Sequence, residues 1–170
     1  DVKWHDGAPF TARDVIATFD KIQDPTTKAA HVRAFTRELS KYSAPDDATV
    51  VLVWKRPYVF TLDSLADINI QPAHLIGKLT GRQWNEVATN PTNRAPIGTG
   101  PFKFASWESN TKIVLHRNDE YWGQKPYLEK LVFRIVPDET IRLQLAERGE
   151  VDVVSVTPAQ WARMDSPDSV

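Results

Sequence analysis

Chemistry in this chain would have to come from its four histidines, His5, His31, His74 and His116, and from the adjacent acids Asp46-Asp47 and Asp138-Glu139. A helix-borne metal site needs histidines at i and i+4, or a carboxylate cluster beside them, and none of the four has that company. No metal site is expected. His5-Asp6 has the types of an acid–base pair, but a general base also needs an orienting group and a substrate cleft, and the sequence offers only adjacency. His5-Asp6-Gly7-Ala8-Pro9 reads instead as a turn. Carboxylates that hydrolyse glycosides face each other across a cleft from separate elements. Asp46-Asp47 has the composition of a hairpin turn, and Asp138, following Pro137, that of a helix N-cap. Gly98-Thr99-Gly100 would offer backbone N–H groups to a phosphate if a helix followed. Pro101 and a strand pattern follow, with no Lys-Ser/Thr pair, so this is not a nucleotide loop. The absence of cysteine removes thiol nucleophiles and thiolate zinc sites. No catalytic residues are expected, and no enzyme.

The 170 residues carry a net charge of −1, with 41% hydrophobic and 25% charged residues, which suits a globular chain able to bury a core unaided. Without a basic excess there is no electrostatic footprint for nucleic acid and no polybasic membrane anchor. No run is apolar enough to span a bilayer, and no signal peptide is visible. Asp1-Val2-Lys3-Trp4 reads as the middle of an element, and Ser166-Pro167-Asp168-Ser169-Val170 lacks a closing one. The chain is expected to be a fragment, with any targeting segment upstream. Most of the six tryptophans, Trp4, Trp54, Trp84, Trp107, Trp122 and Trp161, are expected to anchor cores.

Local signals place these residues on elements. Thr11-Ala12-Arg13-Asp14 has the capping-box form, and Val15, Ile16, Phe19 and Ile22 follow at helical spacing until Asp24-Pro25. Lys28 to Phe35 is ambiguous. Glu38 to Ser43 and Thr49 to Trp54 form a hairpin around Ala44-Pro45-Asp46-Asp47. A short helix is expected over Tyr58 to Leu65, with Val59, Leu62 and Leu65 on one face. Ile68 to Gln71 is extended and leads to Pro72 as a first helical residue. A further helix covers Arg82 to Ala88. Asn90 to Pro101, with three prolines, is the clearest internal boundary. Strands are predicted at Phe102 to Trp107, Lys112 to Arg117, Leu131 to Val136 and Val151 to Val156. Helices are predicted at Glu139 to Arg148, closed by Gly149, and from Pro158 to Met164. Their alternation suggests a βαβ unit and a parallel sheet.

Four segments match one family in order and spacing. Val2-Lys3-Trp4-His5-Asp6-Gly7-Ala8-Pro9-Phe10-Thr11-Ala12-Arg13-Asp14-Val15 resembles "VKFHDGTPFTAEDV". Pro96-Ile97-Gly98-Thr99-Gly100-Pro101-Phe102-Lys103-Phe104 resembles "PVGTGPYKF". Arg117-Asn118-Asp119-Glu120-Tyr121-Trp122-Gly123 resembles "RNPDYWGG", and Glu147-Arg148-Gly149-Glu150-Val151-Asp152-Val153-Val154 resembles "LLSGEVDIV". The chain is therefore similar to the extracellular solute-binding proteins, family 5, of peptide- and nickel-type ABC importers. The resemblance implies an α/β fold of the periplasmic-binding-protein type II kind. Residues 1–95 would be an accessory subdomain and residues 96–170 part of the first lobe, with the far lobe absent. It also implies a periplasmic or extracellular protein whose partners are a peptide or small-molecule ligand and the ABC permease. Contact with the membrane would come only through the permease or a lipid anchor outside this segment. No cofactor is required.

By position within that family, Lys28 to Arg33, just after Asp24-Pro25, and Leu65 to Asn69 would be the two candidate ligand-facing stretches. His31, Asp67 and Asn69 are accordingly the candidate ligand-binding residues. The ligand-sensing domain of a transcriptional regulator, built on the same module, is the alternative reading. A hydrolase on a similar scaffold is a third.

Overall fold

Helix α1, Ala12–Gln23, begins where the capping signal puts it. Thr11 accepts from the backbone of the first turn, and the Asp14 carboxylate accepts the Thr11 N–H at 2.7 Å. These bonds satisfy donors that a helix start otherwise leaves open. The helix buries Phe19 and Ile22, which meet Ile68 in the main core, with Val32, Leu52 and Leu65 packed against it. Each fully buried side chain of this kind contributes about 2 kcal/mol. The computed structural model describes residues 1–57, 59, 61–86 and 88–164.

The ambiguous stretch after Asp24-Pro25 folds as a short helix, α2, Ala30–Phe35. Arg33 ties it to the end of α1, donating from Nε to Ile22 O at 2.7 Å and from Nη2 to Asp24 O and Thr27 O at 2.8 and 2.9 Å. A guanidinium fork suits a helix end, where carbonyls lack intrahelical partners. Strands β1, Leu39–Ser43, and β2, Val51–Trp54, then form the expected antiparallel hairpin, with Ser43 opposite Val51 and Tyr42 opposite Leu52.

Helix α3 runs only from Thr61 to Ala66. Val59 precedes it, so the three-residue stripe expected from Val59 through Leu65 never forms. Val59 and Leu62 are 85% and 79% exposed, and only Leu65 joins the core. The expected helix start at Tyr58 lies outside the described residues. Helix α4, Ala73–Ile76, has Pro72 as its N-cap rather than its first helical residue. Helix α5, Gly81–Asn85, is shorter than predicted and carries its own capping box from Thr80 and Gln83. The boundary segment contains one 3-10 turn, Pro91–Asn93.

Strands β3, Phe102–Glu108, β4, Lys112–Arg117, and β5, Lys130–Arg134, form a sheet in the order β3-β4-β5. Asn118 N–H donates to Pro101 O at 2.8 Å, Arg117 N–H to Glu129 O at 2.9 Å and Ile135 N–H to Thr111 O at 2.8 Å. Those pairings make the sheet an antiparallel meander. The predicted parallel βαβ unit is not formed among the described residues. Val151 to Val156 is irregular, and Val153 is 89% exposed. A strand needs a neighbour to take its N–H and C=O groups, and no described strand lies against this one. Helix α6, Glu139–Glu147, has the predicted Asp138 cap on Ile141 N–H at 2.9 Å and ends at Gly149 with φ 69°. Helix α7, Pro158–Met164, completes the described chain.

Two compact units result. One comprises Asp1–Ser106 with Leu115–Leu131, and the other Trp107–Val114 with the chain from Val132 onward.

Candidate functional site

The three predicted ligand residues are all exposed. His31 lies on α2 with its ring edge against Phe35, centroids 5.0 Å apart. Asp67 and Asn69 flank the buried Ile68. Val32, beside His31, and Ile68 pack on the same Phe19 core, so one cluster fixes the backbone at both stretches. No hydrogen bond or ion pair joins the three side chains to one another among the described residues. None of the three lines the open cleft of about 440 Å³ beside α1, which is bordered by Arg13, Asp20, Lys21 and Gly77.

The densest polar constellation lies elsewhere, where three of the four motifs converge. His5 N–H donates to Gly98 O at 2.8 Å. Gly98 N–H donates to His5 Nδ1 at 3.1 Å, and His5 Nε2 lies 3.0 Å from Gly100 O. A ring nitrogen that accepts cannot also carry the proton, so this is the neutral imidazole with hydrogen on Nε2. The imidazole also explains Gly98, because a Cβ there would meet His5 Cε1 at 3.3 Å. From the third motif, Asn118 Nδ2 donates to Gly100 O at 3.2 Å and Trp122 Nε1 donates to Thr99 O at 3.0 Å. Trp122 is thus a clamp on the glycine turn although 59% exposed. Arg117 braces the loop that carries Asn118 and Trp122 through Asp119, at 2.9 Å, and Lys125 reaches that carboxylate at 2.6 Å. Hydrogen bonds from Lys125 and Arg117 hold the Asp119 carboxyl below the ordinary carboxylate range.

The His5–Gly7 turn is held on its other side through Asp6, whose Oδ2 accepts from His74 Nε2 at 2.6 Å. Partial burial pushes the Asp6 carboxyl up, but bonds from His74 and the Ala8 N–H outweigh it and leave it below its usual value. An aspartate–histidine pair is part of a hydrolytic triad, yet no hydroxyl hydrogen-bonds His74 among the described residues. The His5 lone pair is occupied by Gly98, so His5 is not poised as a base either. No local pattern links His5-Asp6-Gly7 to Gly98-Thr99-Gly100, which read as separate turns. The residues in contact are 93 positions apart, and the one available signal was that each motif brings a side chain with hydrogen-bonding atoms, His5, Asn118 or Trp122. Among the described residues no His, Asp and Glu side chains gather to hold a metal, and no helix is long and apolar enough to cross a membrane.

The chain belongs to the bacterial extracellular solute-binding proteins, family 5, whose middle region matches residues 1–170. It is 32% identical to a putative ABC transporter peptide-binding protein of Brucella ovis, over 91% of this chain and 29% of that protein. Among solved structures, the oligopeptide-binding protein AppA of Bacillus subtilis in complex with a nonapeptide superposes with a TM-score of 0.85 at 25% identity, covering 98% of this chain and 33% of that one. The binding protein AgaA from A. tumefaciens R10, in complex with agropinic acid, gives a TM-score of 0.78 at 34% identity over 98% of this chain and 33% of that one. The chain thus spans about a third of the length of these relatives and has the periplasmic-binding-protein type II fold over that portion.

Proposed function

We propose that this chain is the middle portion of the solute-binding subunit of an ABC importer, which captures peptides or similar small solutes and delivers them to the permease. The observation that carries the reading is the family match along the whole chain, together with relatives named for peptide binding. Residues 1–95 then belong to an accessory subdomain and residues 96–170 to part of the first lobe. The protein works in the periplasm or outside the cell, held at the membrane by the permease or by a lipid anchor elsewhere in the parent sequence. Capture proceeds by lobe closure, in which ligand favours the closed state because it binds that state better. An extended peptide held by backbone hydrogen bonds, in the manner of an added strand, gives affinity with tolerance of side chains.

His31, Asp67 and Asn69 face the ligand in this reading. Exposure on a backbone fixed by the Phe19 core supports that role, since a recognition group gains from rigid support. Calorimetric titration of the parent protein with trialanine tests both levels. Binding is expected, and Asp67→Ala with Asn69→Ala should weaken it about tenfold, the loss of one or two net hydrogen bonds, without lowering Tm. No binding of trialanine counts against peptide as the solute. Binding that the double variant leaves unchanged removes these residues from the site. The 170-residue chain alone should bind more weakly than the parent protein.

A further inference from the structure

The HDG turn, His5 to Gly7, is held on two sides by contacts that respond to acid with opposite sign. On one side Gly98 N–H donates to His5 Nδ1 at 3.1 Å while His5 Nε2–H donates to Gly100 O at 3.0 Å. On the other, His74 Nε2–H donates to Asp6 Oδ2 at 2.6 Å. Protonating His5 places hydrogen on Nδ1, facing the Gly98 N–H, and turns an acceptor into a second donor. The Gly98 bond is lost, whereas the Nε2 bond keeps its donor. Protonating His74 instead adds charge to a bond already aimed at a carboxylate and strengthens it. Charged groups near the His5 backbone include Lys103, whose Nζ donates to His5 O at 3.4 Å, and Glu120, which lies 3.9 Å from that Nζ.

We propose that His5 is a pH-sensing positioning residue: its neutral imidazole accepts the Gly98 N–H and so fastens the Gly98–Pro101 turn, and its protonation breaks that one bond and loosens the turn, while the His5 N–H to Gly98 O bond persists and His74 keeps the HDG segment on α4. Acid therefore loosens one joint and leaves the other closed. Histidine is the side chain suited to this, since its charge ordinarily changes in the range between roughly pH 5 and pH 8. All of these contacts lie within one compact unit.

Amide hydrogen exchange of the 15N-labelled chain, read beside the His5 ring carbon shifts, tests it. The Gly98 protection factor should fall about tenfold as the His5 ring protonates, one net hydrogen bond, while that of Ala73 at the start of α4 holds. His5→Asn keeps an acceptor oxygen at the δ position without titrating, so it should preserve Gly98 protection at every pH. His5→Ala should lose it at every pH, and if that variant fails to fold the wild-type titration and His5→Asn still decide. A Gly98 protection factor that ignores His5 protonation overturns the proposal. So does a His5→Asn chain that reproduces the wild-type fall.

Discussion

Asp14 illustrates how a single side chain can join two elements. It is 3% exposed, and its two carboxylate oxygens accept the Thr11 N–H and the Ala73 N–H, each at 2.7 Å. Its own carbonyl accepts the Thr18 hydroxyl at 2.8 Å, and that hydroxyl takes the Gln71 N–H at 2.9 Å. The acid of the first motif therefore serves the start of α1 and, 59 residues later, the start of α4. A buried N–H left without an acceptor costs about 1–3 kcal/mol, and Asp14→Ala orphans two. We expect Asp14→Ala to lose about 3 kcal/mol or more in urea denaturation, and Asp14→Asn to lose less because one oxygen remains. Equal stability of the Ala variant and the wild type would show that the two helix starts find other partners. The capping half of this role was legible in Thr11-Ala12-Arg13-Asp14. The contact with Ala73 was not, because no local pattern reports which remote backbone donor will arrive beside a capping acid.

Elements whose signals are short-ranged formed as read. Helix α1, the β1–β2 hairpin, the β3–β4 turn at Asn110 and the Asp138-capped α6 each follow from caps, turn residues or alternation within a few positions. Val151 to Val156 and the Val59 stripe failed for one shared reason, as apolar residues specify burial only if something arrives to cover them. The hairpin also gives a pH signature. Tyr42 on β1 donates its hydroxyl to Asp20 on α1 at 2.7 Å, and its ring lies 5.4 Å from that of Phe19. Burial first, then the bond to Asp20 and its negative charge, push the phenol up to about 12. The folded state thus holds this proton more tightly than the unfolded chain. Its stabilisation is complete below pH ~10 and is lost progressively as pH rises from there toward the folded value. Phenolate absorbance should show one tyrosine ionising late, and Tyr42→Phe should abolish that late step and flatten the stability loss. A wild-type titration without a late tyrosine would refute the contact.

At the scale of the whole chain, the two units differ in how they are held. The first is organised by Phe19, Ile22 and Ile68 and by the three-motif node. The second buries Val114 and Leu145 but leaves Trp107, Phe133, Ile141 and Trp161 partly exposed, at 40 to 60%. Fewer buried apolar contacts mean cheaper local opening. Backbone amides of α6 should therefore exchange faster than those of α1 by at least about tenfold, and equal rates would show that the second unit draws on stability not visible in its burial. Family and most helix and hairpin positions were open to reading from the linear chain, because caps, turns and motifs act through neighbours. The antiparallel course of the sheet, the exposure of Val59 and Val153, and the clamp of His5, Asn118 and Trp122 on Gly98-Thr99-Gly100 were not. Each depends on which distant backbone groups meet, and burial and hydrogen-bond partnership are properties of those encounters rather than of the residues alone.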